Sequence, residues 1–195
     1  MKTFSKLFFA LIISFTAILS AKAAEPLRVQ NFEGGLSLGP TFGLKPNNSY
    51  SGKIGANGTL DLRYNFANSK WDIGASVVFN DVIWDRFNNE NEFLMEEHDN
   101  NTAFIVTSHY NFLQGKKVNP YIGFGFGLSD IYSNNKDRKL PSVGAIFCPT
   151  VGIELFYHAR INAGFYLSRS GFNSFALSAG FVIGGRPKKA KTNEL

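Results

Sequence analysis

The feature that most constrains the fold is a two-residue alternation between large apolar and small or polar side chains. Side chains two positions apart lie on the same face of a β-strand, so each alternating segment predicts a strand with one apolar face and one polar face. The clearest case is residues 121–129, where Ile122, Phe124, Phe126 and Leu128 alternate with Gly and Ser. The pattern recurs in eight segments, which are residues 32–44, 54–66, 71–80, 102–112, 121–129, 143–156, 161–168 and 174–184.

The size of the side chains on each face indicates the surroundings of the predicted strands. The polar faces consist mainly of small residues, especially Gly, whereas the apolar faces are large. A soluble barrel has the opposite design, because it fills its interior with large apolar side chains. Large side chains outside and small polar ones inside suit an eight-stranded barrel in lipid, and about ten residues suffice for a tilted strand to cross a bilayer. The predicted fold is therefore all-β, an eight-stranded antiparallel up-and-down transmembrane β-barrel.

The connections between the segments agree with this topology. The short links are residues 67–70, 113–119 and 157–160, and the long ones are residues 45–53, 81–101 and 130–141; the link 169–173 is short and departs from the trend. Short turns that alternate with longer loops place the termini and turns in the periplasm and the loops outside. An interfacial girdle of aromatic residues is predicted near the short turns, from Tyr64, Phe66, Trp71, Tyr110, Phe112 and Tyr157.

The first 23 residues predict a cleavable signal peptide. Lys2 and Lys6 precede an apolar stretch, residues 7–21, and Ala21 and Ala23 supply the small residues that a signal peptidase requires. The alternative is an N-terminal membrane anchor, but 15 apolar residues are short for a spanning helix of about 20. We expect cleavage after Ala23, a barrel domain at residues 24–185 and a basic periplasmic tail at residues 186–195. The tail is either solvated or contacts an anionic cell-wall polymer or lipid head groups.

Charge and cysteine content exclude several classes of function. Removal of the signal peptide takes three of the 20 lysines and arginines and leaves 17 against 15 acidic residues. A chain this close to neutrality, with no basic run inside a predicted strand, gives no reason to expect a nucleic-acid partner. The single Cys excludes an intrachain disulfide framework and a thiolate zinc cluster.

The whole predicted barrel resembles the outer-membrane β-barrel family, whose members include OmpX, the transmembrane domain of OmpA and the opacity proteins. The resemblance rests on the eight alternating segments and on VNPYIGFGFGLS, residues 118–129, which is similar to a Pro-Tyr-(Val/Ile)-Gly-x-Gly strand common in that family. It covers about residues 32–185 and implies a location in the bacterial outer membrane, with outer-membrane lipid as a partner. Many such barrels end on an aromatic residue, but here Phe181 is followed by a further 14 residues.

The few ionisable residues of the polar faces all fall near the periplasmic ends of their strands, and they predict an ionic cluster in the lumen. Its members are Glu33, Asp61, Arg63, Asp72 and Glu154. Because an unpaired charge is costly in a low-dielectric interior, Arg63 should lie among these carboxylates, with His109 and water as further contributors. One interpretation is a gate or narrow conduction path. The second, which we favour, is a salt-bridge network that fills the barrel, since eight strands leave little open bore.

An acidic extracellular loop is predicted at residues 81–101. Its seven carboxylates against one arginine give a net charge of −6, and the candidate contact residues are Glu90, Glu92, Glu96, Glu97 and Asp99. Three interpretations are divalent-cation binding, a contact patch for an extracellular macromolecule, and a solvated loop partly paired with basic neighbours. The segment EEHD, residues 96–99, has suitable ligand types but no fixed metal spacing, so no metal site is predicted. Five apolar residues in the loop suggest that it packs down or touches a partner: Trp84, Phe87, Phe93, Leu94 and Met95.

Catalysis is poorly supported. Ser108 and His109 are adjacent, so they point to opposite faces of a strand and cannot form a nucleophile–base pair. Cys148 is expected to be a packing residue in the lumen. We expect no enzymatic activity and no cofactor, and a monomer with a structural or adhesin-like role through its extracellular loops. The alternatives are a narrow solute channel, a soluble ligand-binding barrel and a lipid-modifying enzyme.

Overall fold

The computed structural model describes residues 31–44, 49–67, 69–135, 143–168 and 173–184. The predicted signal peptide with its cleavage site and the predicted basic tail lie outside these residues. The described strands are β1 (Phe32–Gly43), β2 (Tyr50–Gly52), β3 (Ile54–Asn65), β4 (Trp71–Phe87), β5 (Phe93–Asn111), β6 (Val118–Ser133), β7 (Val143–Leu155), β8 (Ala159–Ser168) and β9 (Asn173–Gly184). Among the residues described, no helix is long and apolar enough to cross a membrane.

Eight of the strands close into a ring in which every neighbouring pair is antiparallel. From β3 to β9 each strand pairs with the next along the chain, and β1 pairs with both β3 and β9, so that Leu36 lies opposite Leu60 on one side and Phe181 on the other. The three-residue β2 lies outside the ring and extends the sheet at the upper end of β4. The predicted eight-stranded antiparallel up-and-down barrel is confirmed.

The large side chains point away from the barrel axis. Leu60, Ile73, Phe124 and Phe165 are 44–52% exposed although each lies within a paired strand, whereas the polar residues that alternate with them are mostly buried. In water, exposing a belt of Leu, Ile and Phe while burying Asn, Asp and Ser would be unfavourable. In a bilayer the same arrangement is favourable, because the belt contacts hydrocarbon. The outer wall therefore has the character of a membrane-spanning surface.

The interior is layered. The ionic residues fill the end near the short turns, and above them lies an apolar layer formed mainly by Val78, Ile105, Ile146 and Tyr166. Polar residues follow, and a second apolar cluster of Val82, Trp84 and Ile131 closes the opposite end. The lumen is therefore less uniformly polar than the small and polar faces of the segments predict.

The aromatic residues near the short turns contact one another along the barrel rim. Ring centroids are 5.3 Å apart between Trp71 and Tyr110, and 5.1 Å apart between Tyr110 and Phe112, both in edge-to-face geometry. Tyr64 makes the same type of contact with Phe66 at 5.6 Å. These rings form an aromatic surface at the height where a membrane interface is expected.

The prediction of a loop at residues 81–101 is wrong for most of that segment. β4 continues to Phe87 and β5 begins at Phe93, so only residues 88–92 form a turn. The paired strands reach beyond β3, whose pairing with β4 ends at Ala56 and Asp81. We call residues 81–101 the outer hairpin. The alternation changes there because the outward face no longer meets lipid, while the buried inward face carries apolar residues (Val82, Trp84) as well as carboxylates (Glu97, Asp99); the backbone pairing persists.

Candidate functional site: the lumen cluster and the outer hairpin

The register of neighbouring strands brings the predicted lumen residues together. Glu33 lies opposite Arg63 in the β1–β3 pair, and Asp61 is two residues away on the same face of β3. Glu154 lies opposite Arg160 in the β7–β8 pair. All of these side chains point inward and are buried, so the charges share one low-dielectric space.

Arg160 is the centre of the cluster, and it is the residue that the sequence analysis missed. Its guanidinium donates to Asp61 Oδ2 at 2.9 Å, to Glu154 Oε2 at 3.1 Å and to Glu33. The prediction placed Arg160 in a turn, but β8 begins at Ala159. The inward alternation of β8, continued two residues back from Asn162, would have found it.

Arg63 occupies the other side of the cluster. Its Nε is 3.4 Å from Asp61 Oδ2, and its Nη1 is 3.9 Å from Asp72 Oδ2. The guanidinium carbon lies 5.0 Å from the ring centroid of Tyr121, and that of Arg160 lies 5.8 Å from the same ring. The ring of Tyr121 thus attracts two like charges at once.

A second set of hydrogen bonds connects the cluster to the short turns. His109 Nδ1 is 2.7 Å from Asp72 Oδ1, and Asn111 Nδ2 donates to Asp72 Oδ2 at 2.8 Å. Asn119 Nδ2 donates to Asn111 Oδ1 at 3.0 Å, which extends the network to the start of β6. Ser108 faces the other way and donates to the backbone oxygen of Asp72 at 2.9 Å, so it is not placed to act as a nucleophile for His109.

The space above the cluster is small. A cavity of about 60 Å³ lies between the ionic residues and the apolar layer, with Thr107, Tyr121 and Thr150 in its wall. This volume holds only a few water molecules. Packing in this region is tight, because a Cβ atom at Gly152 would meet the ring of Tyr121.

The five predicted acidic residues occupy three different kinds of position in the outer hairpin. Glu90 and Glu92 lie in the exposed turn, and Glu96 lies on the outward face of β5. Glu97 and Asp99 face inward and are fully buried, which contradicts the prediction that they form part of a loop. Their position follows from the continuation of β5, since strand pairing carries its inward face to the mouth of the barrel.

The buried carboxylates bind neighbouring side chains. Trp84 Nε1 donates to Asp99 Oδ2 at 3.1 Å, and Asn135 Nδ2 donates to Glu97 Oε1 at 2.7 Å. Arg86 Nη1 lies 3.4 Å from the same Glu97 oxygen. These contacts cross from β4 to β5 and on to the end of β6, so they hold the base of the outer hairpin against the barrel.

The outward face of the outer hairpin has an ionic network of its own. Lys53 Nζ lies 2.9 Å from Asp85 and 2.6 Å from Glu96. The hydrogen bond to Glu96, and to a smaller extent that to Asp85, raises the pKa of Lys53. The same contact lowers the pKa of Glu96. His98 lies 3.3 Å from Asp81 and 3.2 Å from Glu96. Burial lowers the pKa of His98, but the hydrogen bonds to Glu96 and Asp81 outweigh it and raise the pKa above its ordinary value.

The apolar residues of the outer hairpin take two different positions. The indole of Trp84 crosses the barrel mouth to β1, where a Cβ atom at Gly43 would collide with its ring. Phe93 and Leu94, in contrast, are 59% and 52% exposed at the far end of the outer hairpin. Phe87 packs edge-to-face against Phe93 with centroids 6.2 Å apart. The outer hairpin therefore has an anchored base and an apolar tip.

Metal binding receives no support from side-chain geometry. Within the described ranges, no group of three or more His, Cys, Asp and Glu side chains is arranged to hold a metal ion. The acidic residues of the outer hairpin are instead distributed over two faces and a turn.

Comparison with known proteins identifies the architecture. No protein-family model matches the chain, and no curated protein matches it either. Among solved structures, Neisserial surface protein A (NspA) superposes with a TM-score of 0.52 at 12% identity, covering 80% of this chain and 98% of NspA. The outer membrane protein OprG from Pseudomonas aeruginosa superposes with a TM-score of 0.51 at 13% identity, covering 79% of this chain and 97% of OprG.

Identities this low are evidence for the fold and for nothing finer. The ring of eight strands, the apolar outer wall and these superpositions agree with one another. The chain has the fold of the eight-stranded outer-membrane β-barrel proteins, as its alternating segments and the strand at residues 118–129 predict.

Proposed function

We propose that this protein is a non-enzymatic surface-interaction protein of the outer membrane, and that the outer hairpin is its contact site for an extracellular macromolecule. In this proposal residues 1–23 direct export, and the apolar wall serves as the membrane anchor. The observation that carries the proposal is the position of Phe93 and Leu94, which are exposed at the tip of paired strands that reach beyond the barrel.

The construction of the outer hairpin favours recognition over mere solvation. A solvated loop has no need of a buried anchor, whereas Trp84, Glu97 and Asp99 fix the base through buried contacts. A fixed base means that little conformational entropy is lost when a partner binds the tip. Exposed aromatic and aliphatic side chains on such a support are typical of binding surfaces.

The charge of the outer hairpin indicates the kind of partner. Of its seven carboxylates, Glu90 and Glu92 flank the apolar tip and are exposed, whereas the others are buried or lie beside Lys53, Arg86 or His98. A partner with basic residues around an apolar contact complements this surface, and its association should weaken as salt concentration rises. We therefore propose a basic protein surface as the partner class.

The test uses the full-length barrel in lipid nanodiscs and immobilised extracellular-matrix and serum proteins that span a range of net charge. We expect retention by basic members of the set and not by acidic ones. Replacing Phe93 and Leu94 by Ser should weaken binding about 30-fold or more, because burial of one such side chain contributes about 2 kcal/mol.

A matched control separates the tip from exposed apolar surface in general. Tyr132 is 70% exposed at the upper end of β6, and Tyr132→Ser should leave binding unchanged. Equal retention of acidic and basic proteins, or equal binding by the tip variant and the parent, would refute the proposed contact site.

The interior of the barrel weighs against a solute channel. A solute on the axis would have to pass Arg160, the apolar layer and Trp84 in succession, and each of these is fully or almost fully buried. The cavity between the first two has only about 60 Å³. We expect no conductance steps in planar bilayer recordings of the parent or of Arg63→Ala. Stepwise conductance in the parent would support the channel hypothesis instead.

A soluble ligand-binding barrel and a lipid-modifying enzyme both fit the structure less well. A soluble ligand-binding barrel needs an apolar interior and a polar wall, which is the reverse of the observed arrangement. A lipid-modifying enzyme needs a nucleophile or activated water at a base, and Ser108 is turned away from His109. Unchanged envelope lipids in a deletion strain would support the non-enzymatic proposal, and a lost lipid modification would contradict it.

A further inference from the structure

The outer wall of the barrel contains a groove that reaches from near the short-turn rim, where Gly34 and Ile183 lie close to the ends of β1 and β9, toward the middle of the wall at Ala75. It has a volume of about 580 Å³, within the roughly 300–1,000 Å³ of small-molecule sites. Its walls come from five neighbouring strands, β9, β1, β3, β4 and β5, and include Leu60, Val77 and Phe104. The groove exists because two small residues face outward on neighbouring strands. Gly34 of β1 and Ala75 of β4 lie opposite Leu62 of β3, one on each side of it.

The membrane rim below this groove is positively charged. The three short turns, residues 66–70, 112–117 and 156–158, contain Lys70, Lys116 and Lys117 and no carboxylate. Across the described chain, none of these three lysines takes part in an ion pair. The rim therefore offers cations to an anionic group at the membrane surface.

Lys70 is the cation that lies closest in sequence to the groove-forming part of β4. Its backbone oxygen accepts a hydrogen bond from Asn111 N at 2.8 Å, which fixes the turn to β5. Its Nζ lies 5.8 Å from the ring centroid of Tyr110, within the aromatic rim. The ammonium group is thus held at the interface next to Trp71 and Tyr110.

The separation between Lys70 and the groove matches one leaflet of a bilayer. Ala75 lies five positions after Lys70, which is about 16 Å along a strand and about 13 Å along the membrane normal at a tilt of ~40°. Half of a hydrocarbon core of about 30 Å is ~15 Å. A lipid whose head group lies at Lys70 therefore places the far half of its acyl chain at the Ala75 end of the groove.

We propose that this face of the barrel is a binding site for an anionic phospholipid of the periplasmic leaflet. One acyl chain occupies the groove beside Gly34 and Ala75, and the phosphate group binds the ammonium group of Lys70. Charge complementarity selects the occupant: the groove alone would accept any alkyl chain, and the lysines of the rim favour a head group with a net negative charge.

The test is native mass spectrometry of the intact barrel released from detergent micelles that contain phosphatidylglycerol or phosphatidylcholine with identical chains. We expect one retained phosphatidylglycerol per barrel and weaker retention of phosphatidylcholine. Ala75→Leu should abolish selective retention by filling the groove. Lys70→Gln should weaken it about fivefold, since one lysine near an anionic membrane surface contributes about 1 kcal/mol.

Ala179→Leu is the matched control. Ala179 is exposed on the outward face of β9, opposite Leu38 and Ile161, and lies outside the groove. This variant makes the same change in volume on the wall and should retain the lipid like the parent. A heat-dependent shift in gel mobility establishes that each variant is folded.

Three results would overturn the proposal. Equal lipid retention by Ala75→Leu and the parent would show that the groove does not bind the acyl chain. An unchanged preference of Lys70→Gln for phosphatidylglycerol would show that Lys70 does not bind the head group. A barrel that appears as a dimer without bound lipid, and becomes monomeric in Ala75→Leu, would identify a second copy of the chain as the occupant instead.

Discussion

Replacing Arg160 by Gln should be among the most destabilising single changes in the barrel. The side chain is 1% exposed and its guanidinium contacts Glu33, Asp61 and Glu154. Glutamine has no charge and is too short to reach all three carboxylates. The change therefore leaves Glu33 and Glu154 buried without a cation at bonding distance, while Asp61 keeps the contact with Arg63 at 3.4 Å.

The expected loss follows from these contacts. Three hydrogen bonds between charged groups, at about 1.5–3 kcal/mol each, sum to roughly 5–9 kcal/mol. The stranded carboxylates can take up protons, so the measured loss should approach the ~3–5 kcal/mol typical of removing one partner from a buried ion pair. Arg63→Gln should cost less, because Asp61 then keeps its 2.9 Å contact with Arg160.

The assay is equilibrium urea unfolding in detergent micelles, followed by tryptophan fluorescence and gel mobility. With a slope of about 2 kcal/mol per molar urea, a loss of about 4 kcal/mol lowers the midpoint by about 2 M. A rescue variant sharpens the test: Arg160→Met combined with Glu33→Gln and Glu154→Gln leaves two aspartates for Arg63 and should recover most of the loss.

The opposite result has a clear meaning. A loss below about 1 kcal/mol in Arg160→Gln is what an exposed ion pair would give, and it would show that water screens the cluster in the folded barrel. Failure of the rescue variant to exceed Arg160→Gln would show that side-chain packing around Arg160, and not charge, is the source of its effect.

Three further predictions concern the outer hairpin and the glycines. Trp84→Ala should cost about 3–5 kcal/mol and open the outer hairpin to proteolysis, because it empties the barrel mouth and removes a buried hydrogen bond; unchanged protease resistance would contradict this. His98 has a raised pKa, so its stabilising contacts are complete below its unfolded pKa of about 6.5 and are lost as pH rises through the folded value. Urea midpoints at about pH 6 and pH 9 should therefore differ more in the parent than in His98→Gln. Gly127→Ala should block refolding, since its Cβ would lie 2.8 Å from the Cα atom of Ile105, whereas Gly34→Ala meets nothing nearer than 3.9 Å and should refold normally; heat-dependent gel mobility distinguishes the two.

The barrel could be predicted from sequence because lipid and lumen impose opposite demands on alternate residues. Each of the eight predicted segments corresponds to one of the eight ring strands, and residues 121–129 lie entirely within β6. The prediction ended β4 too early and began β5 too late, because lipid no longer constrains the outward face beyond the bilayer. Beyond Asp81 a polar residue is tolerated on either face, so the strands continue without a periodic signal.

The lumen site was partly predictable for a related reason. Five of its members lie inside recognisable segments, where alternation shows which way they face. Arg160 lies next to a turn, and its role depends on the register that sets Glu154 opposite it and on the curvature that brings Asp61 and Glu33 across the lumen. Closure of the ring, and not the local sequence, creates these contacts.

The uneven distribution of charge also bears on how long the assembled barrel persists in the membrane. For the barrel to leave, its outer hairpin with seven carboxylates would have to pass back through hydrocarbon, where each ionised side chain costs several kcal/mol. The lysines of the opposite rim present the same obstacle in the other direction. The inserted barrel is therefore kinetically stable: its lifetime in the membrane is set by an activation barrier rather than by the free energy of its folded state.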